Sequence, residues 1–147
     1  MSIKNVALLG ADGNLGPSVL HALLSARFNV TVLKRASSKS PDNYPAGVRV
    51  AKVQDDFDVE VVSGVVKGQD AMVVTIKGSQ TDLQHKLAQA CVKAGVKRFI
   101  PADFGSCDSY SSWAQSLVPL FKRKAELREL LRQMSEDNDQ FTWTSLV

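Results

Sequence analysis

The glycines at positions 10, 13 and 16 lie in the run Gly10-Ala11-Asp12-Gly13-Asn14-Leu15-Gly16, between an apolar strand-like segment and an amphipathic helical one. That placement has a definite chemical use. The first glycine permits a tight turn, the next lets backbone approach a pyrophosphate, and the last lets helix pack closely on strand. Phosphate oxygens can then meet free N–H groups at a helix N-terminus. Asp12, Asn14 and Leu15 fall within the same turn and join Gly10, Gly13 and Gly16 as candidate contacts to such a ligand. No Gly-Lys-Ser/Thr follows, so the loop is not of the Walker type.

A second group of candidates lies at the end of the next strand. Dinucleotide folds that take NAD place Asp or Glu there, about 20 residues past the glycine loop, to hold the ribose 2′-hydroxyl. Here the strand ends Leu33-Lys34-Arg35, and no acid appears before Asp42. Arg35 can instead grip a 2′-phosphate through paired charge-assisted hydrogen bonds, with Ser37, Ser38 and Lys39 close by. The expected cofactor is therefore NADP(H) rather than NAD.

Near the C-terminus, Leu120, Lys124, Leu127 and Leu131 share one helix face by i, i+3, i+4 spacing, while Lys122 and Arg123 face outward. Lys124 thus interrupts an apolar stripe. A lysine taken out of water gives up its proton more readily, which suits proton transfer near neutrality. The other reading is a side chain that snorkels to water. His21 and His85 fall on amphipathic helices away from strand ends and read as surface residues. Cys91 and Cys107 have neither C-x-x-C spacing nor neighbouring histidines, so free thiols in a reducing compartment are expected and a metal site is not.

These groups need a scaffold that brings strand ends to one edge. Residues Asn5–Leu9, 29–33, 48–53, 71–76, 98–101 and 141–147 read as buried strands, mostly β-branched and apolar on both faces. Helical periodicity marks 14–27, 57–67, Thr81–Ala94 and 119–134. In the first of these, Leu15, Val19, Leu20, Leu23 and Leu24 form one stripe; in the third, Leu83, Leu87, Ala90, Cys91 and Ala94 do so, with Gly95 as the C-cap. Segments 36–47 and 106–116 read as polar, turn-rich loops. Strands joined by helices imply right-handed crossovers and a parallel sheet. The expected architecture is a single doubly wound α/β domain over residues 1–147, of the NAD(P)-binding Rossmann kind.

Bulk properties agree. The chain has 147 residues, 44% hydrophobic and 22% charged, enough for one core of ordinary composition. A net charge of +3 is spread over separate clusters, so no nucleic-acid partner is expected. No apolar run approaches the ~20 residues of a membrane helix. Met1-Ser2-Ile3-Lys4 leads straight into a strand, leaving no room for a signal or transit peptide, and a cytoplasmic protein is expected.

The pieces together resemble the NmrA-like, isoflavone-reductase-like branch of the atypical short-chain dehydrogenases, its fungal members above all. The matching runs are VALLGADGNLG (6–16), VTVLKR (30–35), GQDAMVV (68–74), AGVKRFIPADFG (94–105) and KAELRELL (124–131), with Thr142-Trp143-Thr144 at the end. The G-x-x-G-x-x-G spacing is also that of this branch. The resemblance implies that Pro101, Ala102 and Phe104 lie beside the nicotinamide, Asp55 near the adenine, and Thr75, Ile76 and Lys77 along the cofactor cleft. It also implies that Lys124 is the catalytic acid/base. The Tyr-x-x-x-Lys relay of other short-chain dehydrogenases is missing, since Tyr110 is matched by Ala114. The Asp103-Phe104-Gly105 triplet shared with kinases has no kinase context here. Family members are considerably longer, which implies that the substrate subdomain is absent and leaves an open apolar face suited to homo-oligomer formation. The implied activity is hydride transfer from NADPH to a small phenolic substrate; the alternatives are a non-catalytic NADP-sensing regulatory module or an inactive fragment.

Overall fold

The computed structural model describes residues 2–105 and 109–147. The chain runs β1 (Asn5–Leu9), α1 (Gly16–Ser25), β2 (Asn29–Arg35), β3 (Arg49–Val53), α2 (Val59–Val65), β4 (Ala71–Val74), α3 (Thr81–Ala94), β5 (Arg98–Ile100), α4 (Ser112–Leu117), α5 (Pro119–Asp137) and β6 (Thr142–Trp143). The strands form one sheet in the order β3-β2-β1-β4-β5-β6, every neighbouring pair parallel. This is the doubly wound order expected, reversing direction between β1 and β4.

The apolar strands are buried on both faces because alternate side chains serve different cores. Ala7 and Leu9 of β1, with Met72 and Val74 of β4, join Leu87, Leu127, Leu131 and Phe141 beneath α2, α3 and α5. Val6, Leu8, Val30, Val32 and Val73 face the other way, toward Leu20 of α1.

Several boundaries differ from those expected. α1 begins at Gly16, with Leu15 as its N-cap and 37% exposed, so Leu15 stands outside the apolar stripe. β2 continues through Lys34 and Arg35 because both pair with β3. β4 ends at Val74, although Thr75 N–H still donates to the Leu9 carbonyl at 2.8 Å. Phe57 is not helical: its φ is +48°, and Asp58 starts α2 by accepting from the N–H groups of Glu60 and Val61. Residues expected as loop include α4, capped by Ser111. β6 is only two residues long, since its single neighbour β5 offers three and Pro101 cannot extend the ladder. The C-cap assignment of Gly95 holds, at φ +75°.

Cys91 is a free, fully buried thiol whose pKa burial pushes up to about 12, so it is a packing residue. Cys107 lies outside the described residues. No helix among the described residues is long and apolar enough to cross a membrane.

Candidate functional site

The carboxyl ends of β1, β2 and β4 meet at the point where strand order reverses, and there the surface opens into a cavity of about 480 Å³. Gly10, Asp12 and Gly13 from the glycine turn line it, with Arg35 at the end of β2 and Ile76 and Lys77 after β4. These are sequence candidates that the fold brings together. Lys34, Ser38, Ser40, Phe57, Gln80 and Leu83 also line it.

The glycine turn is built by close backbone contact. Gly10 has φ +96°, and a Cβ there would stand 2.7 Å from the Thr75 hydroxyl. That hydroxyl donates back to the Leu9 and Gly10 carbonyls at 3.2 and 3.0 Å, so buried Thr75 braces the turn instead of facing the cavity. At Gly16 a Cβ would lie 2.0 Å from the Gly10 carbonyl oxygen, which is why the helix can start directly over the turn. No side chain caps α1, and Pro17 stands in its first turn. Its leading N–H groups are thus left for an anion, and the macrodipole favours one there. The turn therefore fits a dinucleotide pyrophosphate. Asn14 and Leu15 are exposed beyond the cavity lining.

Asp12, in the middle of the turn, is tied down by the β2–β3 loop. Its carboxylate accepts from the Ser40 hydroxyl at 2.6 Å and from Tyr44 at 2.9 Å, and pairs with Lys34 at 3.1 Å. Lys34 is 5% exposed, pairs also with Asp42 at 3.0 Å, and donates to the Ser40 carbonyl at 2.9 Å. Burial raises the Asp12 pKa, but the hydrogen bonds from Ser40, Tyr44 and Lys34 and the Lys34 charge outweigh it and hold Asp12 below the usual carboxylate value. Burial likewise pulls Lys34 down, and its bonds to Asp42, Tyr44 and Asp12 more than reverse this, leaving it raised. In the sequence Lys34 reads only as part of a basic cluster. The signal that marks it out is a charge inside an otherwise apolar strand.

Arg35 is exposed at the cavity wall and makes no salt bridge among the described residues. Lys39 is exposed beyond the lining. Asp55 also lies outside the lining. It accepts from the Ser37 backbone N–H at 3.2 Å and from its hydroxyl, bonds that hold its pKa down. Phe57, buried with a left-handed backbone, forms part of the wall; such conformations in a bulky residue are held only by surrounding structure.

A second cluster stands at the end of β5. Pro101 and Ala102 are buried and Phe104 half-buried, all outside the cavity lining. The Ala102 N–H donates to the Oε1 of Gln84, a residue with no exposed surface on α3, at 2.7 Å. Lys124 is 7% exposed, so the snorkelling reading is overturned. It is not alone among apolar groups either: Asp103 Oδ1 lies 3.3 Å from its ammonium, and Asp103 Oδ2 accepts from Arg128 at 2.5 Å and from Ser145. Burial opposes ionisation of Asp103, but Arg128, Ser145 and the Lys124 charge hold its pKa low. Lys124 also packs against the loop after β4, where a Cβ on Gly78 would be 3.1 Å from its Cε. Gln84 and Arg128 do not stand out in the sequence, though Gln84 sits one turn before Leu87 on the buried face of its helix.

A parallel sheet of this order, with a glycine turn and an uncapped helix at its switch point, defines a dinucleotide-binding doubly wound domain. The chain belongs to the NmrA-like family, whose profile matches residues 2–147. The oxidoreductase aprR of Aspergillus flavus is 40% identical over 149 residues, which cover 100% of this chain and 48% of that protein. The solved structure of AtPrR2 with NADP+ and (+)-pinoresinol shares the fold with a TM-score of 0.79 at 22% identity, across 99% of this chain and 50% of that one. The leucoanthocyanidin reductase–NADPH complex from Vitis vinifera does so at TM-score 0.79 and 23% identity, across 96% and 48%. The chain spans about half the length of the curated relatives it matches.

Proposed function

We propose that this chain binds NADPH and forms the cofactor-holding part of a cytoplasmic NADPH-dependent reductase of the isoflavone-reductase type, acting on a small phenolic substrate. The observation that carries the reading is one cavity that joins the glycine turn to an exposed Arg35, at the strand position where NAD-specific folds keep an acid. The oxidoreductase name of the Aspergillus flavus relative and the NADP+ and NADPH held by the structural neighbours support it.

NADPH, when bound, supplies the hydride. Gly10, Gly13 and the α1 N-terminus hold its pyrophosphate, and Arg35 with Ser38 holds the 2′-phosphate. Asn14, Leu15 and Lys39 extend this surface, and Asp55 orders the Arg35 loop through Ser37. Pro101, Ala102 and Phe104 form the nicotinamide side. Lys124 keeps a proton at Nζ, next to the β4 loop, for delivery to the substrate atom that gains charge as it is reduced.

Titration calorimetry with NADPH and NADH tests the reading directly. NADPH is expected to bind at least about tenfold tighter than NADH, and Arg35→Ala is expected to erase that preference by removing a charged pair with the 2′-phosphate. Binding of neither coenzyme to the wild type sinks the proposal. Turnover is tested with NADPH and phenolic acceptors, (+)-pinoresinol first. Lys124→Ala should lower it by about 100-fold or more, the usual range for a lost general acid. NADPH affinity should stay within about threefold of wild type; retained turnover removes Lys124 from the chemistry.

A further inference from the structure

Asp12 is an awkward residue for an anion-binding turn. Its carboxylate lines the same cavity as the glycine backbone that would receive a pyrophosphate, and like charges in such a site repel. The structure answers that with Lys34, which reaches Asp12 at 3.1 Å and Asp42 at 3.0 Å from a position only 5% exposed. Around this pair the β2–β3 loop is folded down onto the turn. Ser40 and Tyr44 donate to Asp12, Lys34 donates to the Ser40 and Pro41 carbonyls, and its ammonium lies 5.3 Å from the centre of the Tyr44 ring.

Resting on the dinucleotide reading above, we propose that Lys34 is a specificity-determining residue. By neutralising Asp12 and fixing the loop that follows Arg35, it makes the cavity able to accept a ligand with a phosphate beyond the pyrophosphate, which is NADPH in preference to NADH. Lys34 acts through Asp12 and the loop and leaves direct contact with the 2′-phosphate to Arg35. Without Lys34, the Asp12 carboxylate stands uncompensated on the cavity wall, and Asp42 keeps only Lys52, at 3.0 Å. Every negative charge on the ligand then meets the unpaired Asp12 carboxylate instead of a balanced ion pair. The penalty grows with ligand charge, so NADPH suffers more than NADH.

The test uses the whole chain, with NADPH and NADH as probes in titration calorimetry. Lys34→Met should weaken NADPH by about 30-fold or more, because an unpaired Asp12 carboxylate then faces the ligand's phosphates and like charges juxtaposed in a binding site repel. NADH should be weakened clearly less, so the NADPH-to-NADH preference falls. Adding Asp12→Asn to Lys34→Met should restore NADPH affinity, because the unpaired anion is gone; a lysine needed only for folding would give no such rescue. If Lys34→Met is too unstable to titrate, Asp12→Asn is compared with the Asp12→Asn/Lys34→Met double variant. There, losing the lysine should cost NADPH less than about threefold. Equal losses for both coenzymes without rescue, unchanged NADPH binding in Lys34→Met, or a large loss in the second comparison each overturn the assignment. A wild type that binds neither coenzyme instead overturns the dinucleotide reading, and this proposal with it.

Discussion

Gly16→Ala is expected to abolish measurable NADPH binding and to destabilise the fold by about 2–4 kcal/mol, more than an ordinary overpacked core site. The added methyl would lie 2.0 Å from the Gly10 carbonyl oxygen and 2.5 Å from the Ala11 carbonyl carbon. Both contacts are backbone, so no rotamer can relieve them. Either α1 lifts off the turn or the turn opens, and in each case the N–H groups aimed at the pyrophosphate lose their geometry. Gly64→Ala is the matched control. Gly64 lies within α2, a Cβ there would meet nothing within 4 Å, and its φ is ordinary. That substitution should raise stability by up to about 1 kcal/mol through the lower entropy of the unfolded chain, with NADPH binding intact. Thermal denaturation and calorimetry on the two variants separate a general intolerance of change from a specific steric requirement. Normal NADPH affinity in Gly16→Ala would remove the turn from the binding site.

The glycine turn is also the part of the site most legible in the sequence. Gly10, Gly13 and Gly16 act over a few residues of chain, and their spacing between strand and helix already implies the turn. Sheet order follows from the same local patterns plus the handedness rule for crossovers. Charge pairing is not legible in this way. Lys34 reads as one of several surface bases until β2 is seen to run past Leu33 and to tuck it beneath the loop that carries Ser40 and Tyr44. Asp103 and Arg128 look like a loop acid and a helix-surface base, yet both are nearly buried because α5 packs that face onto the end of β5. Asp55 and Thr75 both stand outside the cavity lining, and their polar atoms bond to Ser37 and to the glycine turn. Which way a short polar side chain turns depends on backbone from another strand, and no pattern along a single stretch of sequence holds that information.

Asp103→Ala is expected to be the most damaging change outside the glycine turn, costing about 3–5 kcal/mol, the range for breaking a buried ion pair by removing one partner. Arg128 and Lys124, 6% and 7% exposed, would each keep a positive charge with the shared carboxylate gone. Arg128 also packs over the Tyr110 ring at 5.1 Å, which holds the guanidinium in place and limits its escape to water. At about 2–4 °C per kcal/mol for a domain of this size, the melting temperature should fall by roughly 6–20 °C. Acid adds an independent signature. The folded Asp103 pKa lies below its unfolded value of about 3.9, so its contribution is complete above about pH 5 and is lost as pH falls through the folded value. Asp103→Asn keeps the shape but cannot ionise, so its stability should fall less steeply than wild type below about pH 4. Two outcomes would reverse the assignment: a melting temperature for Asp103→Ala within about 1 °C of wild type, or parallel acid limbs for Asp103→Asn and wild type. The carboxylate would then be a bystander, and Lys124 would owe its position to packing against the loop at Gly78.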